Sequence, residues 1–192
     1  MNIIVQPYGK TLGYCRPDTT WERENKDFYV PESVDTLLWT PVLFARISKA
    51  GKCIGEKFVS RYYDSFNCGA LIYCRTSDME DNAAESHAFT SCVDHTSLLP
   101  APLYNPVVLE KSSNIFEVYK DGENIFAAQP AEYVRLMEEA ICSTSRLTSL
   151  RIGDFVAVEL APATTLAHRQ DSSVHLKAEF CTNELFDLKM IF

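Results

Sequence analysis

No run of about eighteen apolar residues occurs in this 192-residue chain, so no helical membrane span is expected. The opening residues, Met1-Asn2-Ile3-Ile4-Val5-Gln6-Pro7, lack the basic start and long apolar stretch of a secretory signal. They read instead as a short first strand. No Lys/Arg cluster is dense enough to track phosphates, and the formal charge is −8, so neither nucleic acid nor a membrane is an expected partner. No Cys-x-x-Cys pair is present. The seven cysteines, at 15, 53, 68, 74, 92, 142 and 181, are odd in number. Together with the missing signal they point to reduced thiols in the cytoplasm. Internal repeats and low-complexity linkers are absent as well, which favours a single domain over 1–192.

What is present can build a core: 46% of residues are hydrophobic and 11% aromatic. Short strands separated by turns dominate the pattern. Strands are expected at 2–5, 28–30, 37–47, 70–74, 107–109, 155–160, 174–181 and 185–191. Residues 6–27 read as polar and irregular. Pro41 removes a ladder donor from the long strand and predicts an edge or a bulge. Ile54, Phe58 and Tyr62 recur every four residues and predict a short amphipathic helix over 54–64. Residues 114–128 predict a hairpin, with Asp121-Gly122 supplying positive φ at the turn. Pro130 fits a first helical position, and Tyr133, Leu136, Met137, Ala140 and Ile141 mark one face of the helix that follows.

Three blocks carry a family resemblance. The first is Leu38 to Gly69, with Lys49-Ala50-Gly51-Lys52 and Arg61-Tyr62-Tyr63-Asp64 inside it. The second is Asn114 to Leu150, a hairpin and then a helix. The third is Leu147-Thr148-Ser149-Leu150-Arg151-Ile152-Gly153-Asp154-Phe155-Val156. In this order they resemble the fumarylacetoacetate hydrolase family and cover about half of the chain. The resemblance implies a β-rich α+β fold, a mixed β-roll or sandwich with short helices.

In that family a Glu-x-Glu strand and a following aspartate hold a divalent cation, which polarises a β-dicarbonyl acid as a Lewis acid. The resemblance places the two glutamates on Thr40 and Val42 and the aspartate on Leu71 of Gly69-Ala70-Leu71-Ile72-Tyr73-Cys74-Arg75. Arg75 and the glycine persist. The family lysine falls on Ser91 of Ser91-Cys92-Val93-Asp94-His95-Thr96, where Asp94 is kept. The threonine-rich loop that holds substrate falls near Val158-Glu159-Leu160-Ala161-Pro162 without its threonines. The family's N-terminal lid is shortened, and no histidine precedes His87.

The resemblance therefore implies relic pocket positions Thr40, Val42, Leu71, Arg75, Ser91 and Asp94, with no catalytic residue and no metal or other cofactor. The expectation is an inactive family member with a binding or scaffold role. Two alternatives stand beside it. One is a hydrolase or decarboxylase of acylpyruvate-like acids using Mg or Ca; the other is a small-molecule-binding module in the relic pocket. A homodimer is expected, because family members commonly pair beside the site. Two further clusters bear chemistry. Asp78, Glu80 and Asp81 can hold a cation or form a solvated loop. His87, Cys92, Asp94 and His95 can form a thiolate–imidazole or metal site, or a loop with a buried thiol. His168 and His175 flank a polar stretch that reads as a surface turn.

Overall fold

The computed structural model describes residues 1–77, 88–111 and 114–192. Its strands are β1 (Ile3–Gln6), β2 (Tyr14–Arg16), β3 (Trp21–Glu22), β4 (Phe28–Tyr29), β5 (Thr36–Ile47), β6 (Tyr63–Arg75), β7 (Ser97–Leu98), β8 (Phe116–Lys120), β9 (Glu123–Ala128), β10 (Phe155–Glu159), β11 (Thr164–His168), β12 (Ser173–Phe180) and β13 (Asn183–Ile191). An α-helix, α1, runs over Val134–Leu147.

The long apolar runs of β5 and β6 pair antiparallel along almost their whole length and form the spine of an eight-stranded sheet. Its order is β2-β1-β10-β5-β6-β7-β3, with β11 also on β5. The two outer strands, β2 and β3, are consecutive in sequence, joined only through Pro17 and a 3₁₀ turn at Asp18–Thr20. The sheet must therefore curl until its edges approach. Arg16 of β2 donates to Ile72 O of β6 at 2.9 Å and to Thr96 Oγ1, beside β7, at 2.6 Å. A second sheet, ordered β4-β13-β12-β8-β9, covers the outer face.

Strand alternation sends side chains to opposite faces. Leu37, Trp39, Leu43, Ala45 and Ile47 of β5 join Cys68, Ala70, Ile72 and Cys74 of β6 in the larger core. That core also takes Phe116, Val118, Leu176, Ala178 and Phe180 from the second sheet. α1 contributes Met137, Ala140 and Ile141, the face that its apolar spacing predicts. The Asp121-Gly122 hairpin turn is present, with φ of 49° and 87°. Gly153, at φ +90°, turns the chain into β10. Beside it the buried Asp154 carboxylate accepts the backbone N–H groups of Asn2 and Arg151, both at 2.8 Å.

Four expectations are corrected. Residues 6–27 contain β2 and β3, strands too short to leave an alternating pattern. Pro41 is not on an edge. It lies where β10 gives way to β11 as the partner of β5, and its carbonyl accepts Leu160 N–H at 2.9 Å on that side. Its missing N–H therefore leaves no ladder position empty. The helix over 54–64 is a 3₁₀ helix at Glu56–Arg61. At three residues per turn Ile54 and Phe58 do not share a face; Ile54 is buried, while Phe58 is exposed beneath Lys57 and Arg61. Residues 107–109 form another 3₁₀ turn, Pro106–Glu110, which Asn105 caps by accepting Val107 N–H at 3.0 Å. β11, which the sequence reading does not anticipate, completes the sheet.

Candidate functional site

The concave face of the curled sheet carries a second, smaller cluster: Ile3, Val5, Val42, Phe44, Leu71, Tyr73, Leu99, Phe155 and Ala157, with Tyr14 and Trp21 packed against it. Phe155 lies edge-on to both Trp21 and Phe44, with ring centroids 5.0 and 5.3 Å away. Trp21 donates its indole N–H to Leu99 O at 2.8 Å. This interior is the place where the fold brings together residues from β1, β2, β5, β6 and β10.

At one end the interior turns polar. The phenol oxygens of Tyr14 and Tyr73 lie 2.5 Å apart, and Tyr73 donates to Glu159. The other oxygen of Glu159 accepts the backbone N–H of Tyr8 at 2.9 Å. Ser91 hydrogen-bonds the Tyr14 phenol. Burial pushes the Tyr73 phenol well above its ordinary pKa, with the nearby Tyr14 and Glu159 adding to the rise; burial raises Tyr14 too. Both phenols are neutral proton donors at pH 7. Beside them Arg16, 1% exposed, reaches across from β2. Its Nη2 donates to Ile72 O at 2.9 Å and to Thr96 Oγ1 at 2.6 Å, and its guanidinium lies 5.2 Å from the Tyr73 ring centre.

The relic positions divide. Thr40, Val42 and Leu71 are each fully buried. Val42 and Leu71 sit in the interior cluster, and Thr40 is paired directly opposite Leu71. Ser91 joins them through Tyr14. Arg75 closes the same strand, half-buried, while Asp94 is on the surface. Of the second cluster, Cys92 and His95 are exposed, and His95 Nδ1 lies 2.8 Å from Glu22. His87, Asp78, Glu80 and Asp81 lie outside the described residues. Among the described residues no group of three or more His, Cys, Asp or Glu is placed to hold a metal. His168 bonds Thr36 and His175 bonds Asp187, so both act as cross-strand partners.

Tyr14, Arg16, Tyr73 and Glu159 are the residues that sequence reasoning missed. A faint signal existed. Tyr14 and Arg16 are two apart, Tyr73 is two beyond Leu71, and Glu159 pairs with Val42. Each lies on the interior register of its strand.

This architecture is the fumarylacetoacetate hydrolase fold. Fumarylpyruvate hydrolase from Pseudomonas aeruginosa, solved with Mn²⁺ and pyruvate, superposes with a TM-score of 0.79 at 14% identity, over 100% of this chain and 90% of its own. A fumarylacetoacetate hydrolase family protein from Yersinia pestis CO92 gives 0.78 at 12% identity, over 99% and 92%. Maleylpyruvate hydrolase from Sphingobium sp. SYK-6, also solved with manganese and pyruvate, gives 0.73 at 13% identity, over 97% and 69%. No family model and no curated protein matches the sequence itself.

These neighbours correct one expectation. The sequence reading assigns no cofactor, whereas two solved proteins of this fold hold Mn²⁺; a divalent metal is the cofactor to which the fold's relatives point. The residues at the three positions that the resemblance assigns to the metal, Thr40, Val42 and Leu71, do not fit such an ion. Val42 and Leu71 have no donor atom. The Thr40 hydroxyl is committed to Ala161 O at 2.7 Å. A hard cation wants several oxygen ligands, carboxylates foremost.

Proposed function

We propose that this chain is a small-molecule-binding protein built on the fumarylacetoacetate hydrolase fold, without the hydrolytic turnover of its metal-bearing neighbours. The observation that carries the reading is the Tyr14–Tyr73–Glu159 chain of hydrogen bonds, set in an otherwise apolar interior beside Val42 and Leu71. A few convergent polar groups among apolar side chains are one element that a small-ligand site requires. The aligned positions lack the donors that would polarise a substrate carbonyl, and the Ser91 hydroxyl cannot replace a lysine ammonium. The rival reading is metal-dependent hydrolysis of an acylpyruvate-type acid, favoured by the activities of the solved neighbours.

One titration separates the two. The protein is mixed with pyruvate, oxaloacetate and an acylpyruvate, with and without Mn²⁺, while melting temperature and loss of the substrate's ultraviolet absorbance are followed. Stabilisation without turnover is the expected result. Metal-dependent turnover that survives repurification would establish the rival. A homodimer belongs to the same proposal. Exposed Leu12 and Leu147, which line a cavity of about 270 Å³ between the β1–β2 turn and the end of α1, supply apolar surface for it. Light scattering that gives a monomer mass near 21.7 kDa would exclude it. The seven free thiols support a cytoplasmic location.

A further inference from the structure

The curled sheet has a second mouth. The Tyr14–Tyr73–Glu159 chain marks one end of the roll, where Tyr73 pairs with Leu38 and Glu159 with Val42 of β5. From Leu38 to Arg46 the strand runs roughly 26 Å at 3.3 Å per residue. At that far end an open cavity of about 820 Å³ lies against Arg46, Asp64, Ser65, Trp21, Leu103 and Phe155. A recess of this volume is in the range of small-molecule sites.

The backbone is shaped to furnish it. Arg46 and Ser65 are register partners, so their side chains leave the sheet on the same face. Asp64 precedes Ser65, and regular alternation would send it to the other face. The next partners along the ladder are Ile47 and Tyr63, so Asp64 is the extra residue of a β-bulge. A bulge re-aims a side chain, and here the adjacent Asp64 and Ser65 both line the cavity. The Ser65 hydroxyl donates to Asp64 Oδ1 at 2.8 Å, which steadies the carboxylate and leaves Oδ2 to accept. Arg46 has no hydrogen bond or ion pair among the described residues. Two opposite charges thus share one recess without pairing.

The apolar wall is rigid. Trp21 donates its indole N–H to Leu99 O, lies edge-on to Phe155 at 5.0 Å, and carries the Arg23 guanidinium 4.4 Å from its ring centre. Aromatic wall, cation and anion together fit one kind of small molecule.

We propose that this mouth binds a zwitterionic α-amino acid with an aromatic side chain. The ligand carboxylate meets the planar fork of Arg46, its ammonium meets Asp64 Oδ2, and its ring packs against Trp21 and Leu103. A plain carboxylate meets Arg46 but is repelled by Asp64, and a plain amine meets Asp64 but is repelled by Arg46. The site lies at the opposite end of the roll from the interior discussed under the proposed function and does not depend on that reading.

The test uses the full chain with L-phenylalanine, 3-phenylpropionate, which lacks the ammonium, and 2-phenylethylamine, which lacks the carboxylate. Binding is read by calorimetry and by tryptophan fluorescence. Phenylalanine should bind about 10-fold more tightly than either analogue, the scale of one hydrogen bond to a charged group. Arg46 and Asp64 are exposed, so Arg46→Gln and Asp64→Asn should leave the melting temperature within about 2 °C. Arg46→Gln should bind phenylalanine about 10-fold more weakly and no better than phenylethylamine. Asp64→Asn should show the matching loss and hold phenylalanine no better than phenylpropionate. Equal binding of the three compounds by the unmodified chain would overturn the proposal. So would no binding of phenylalanine, or phenylalanine binding undiminished in either variant.

Discussion

The two faces of β5 and β6 are made by the same strands and solve different problems. On the outer face Leu43, Ala45, Ile47, Cys68, Ala70 and Ile72 are fully buried against the second sheet and α1, and none places a strongly polar side chain there. On the inner face Val42, Phe44 and Leu71 are equally dry, yet Tyr73, Glu159 and Arg16 intrude among them. The interior is closed at these positions, where Val42, Phe44 and Leu71 have no exposed surface. The same face also holds the fully buried Asn67, whose side-chain amide donates to Pro100 O and Pro102 O. The outer face is thus held by packing alone, and the inner face by packing and buried hydrogen bonds together.

The largest break in this comparison comes from the outer face. Leu43→Asp places an unpaired carboxylate in the larger core, where at least about 5 kcal/mol is at stake. No cooperative unfolding transition is expected by circular dichroism. Gly69→Ala comes next. An added Cβ would stand 2.3 Å from Leu98 O, a backbone atom that cannot move without dislodging β7. A loss of about 3 kcal/mol in chemical denaturation is expected; a loss under about 1 kcal/mol would show that β7 is loosely held.

Alkaline pH sharpens the contrast, because both faces carry raised acids. Burial pushes the Cys74 thiol on the outer face up to about 12 from an ordinary 9.0, and burial raises the Tyr73 phenol well above 10.0 on the inner face. In each case the folded state holds its proton more tightly than the unfolded chain. The associated stability is fully present below the unfolded pKa and is lost as pH rises toward the folded value. The denaturation midpoint should hold up to about pH 9 and then fall. Cys74→Ala should flatten the early part of that fall, and Tyr73→Phe the part above about pH 10. Tyr73→Phe should also cost about 1–3 kcal/mol at pH 7, because Glu159 and Tyr14 lose a buried partner. The smallest effect is expected at the surface: Arg135→Ala removes an exposed i,i+4 pair with Glu139 and should cost about 0.3–0.5 kcal/mol. A larger value would mean that α1 depends on its outer face as well.

Much of this molecule could be read from its sequence. The apolar runs of β5 and β6, the Asp121-Gly122 turn and the stripe on α1 each express a local rule. What escaped reading is built from distant pairs. Arg16 meets β6 across 56 residues, and Tyr73 meets Glu159 across 86. Nothing local distinguishes Tyr14-Cys15-Arg16 from a loop, since a three-residue strand shows barely one period of alternation. The four-residue spacing of Ile54, Phe58 and Tyr62 misled because a 3₁₀ helix repeats at three. Residues 107–109 misled because Val107 and Val108 favour strands, whereas Pro106 and the Asn105 cap decide for a helical turn.

Pro41 has a consequence of its own. Sliding β5 by one or two residues along β10 would carry the proline ring out of the junction and into the ladder, where a donor would be missing and the ring would meet the neighbouring strand. A one-residue slip would also exchange the two faces, sending Leu43 inward and Val42 outward. In a long, almost wholly apolar strand, hydrophobicity alone discriminates poorly between such alignments, because nearly every residue is content on either side. The proline supplies the missing discrimination. It acts as a notch on an otherwise featureless rail, and the folding chain can seat it in one place only.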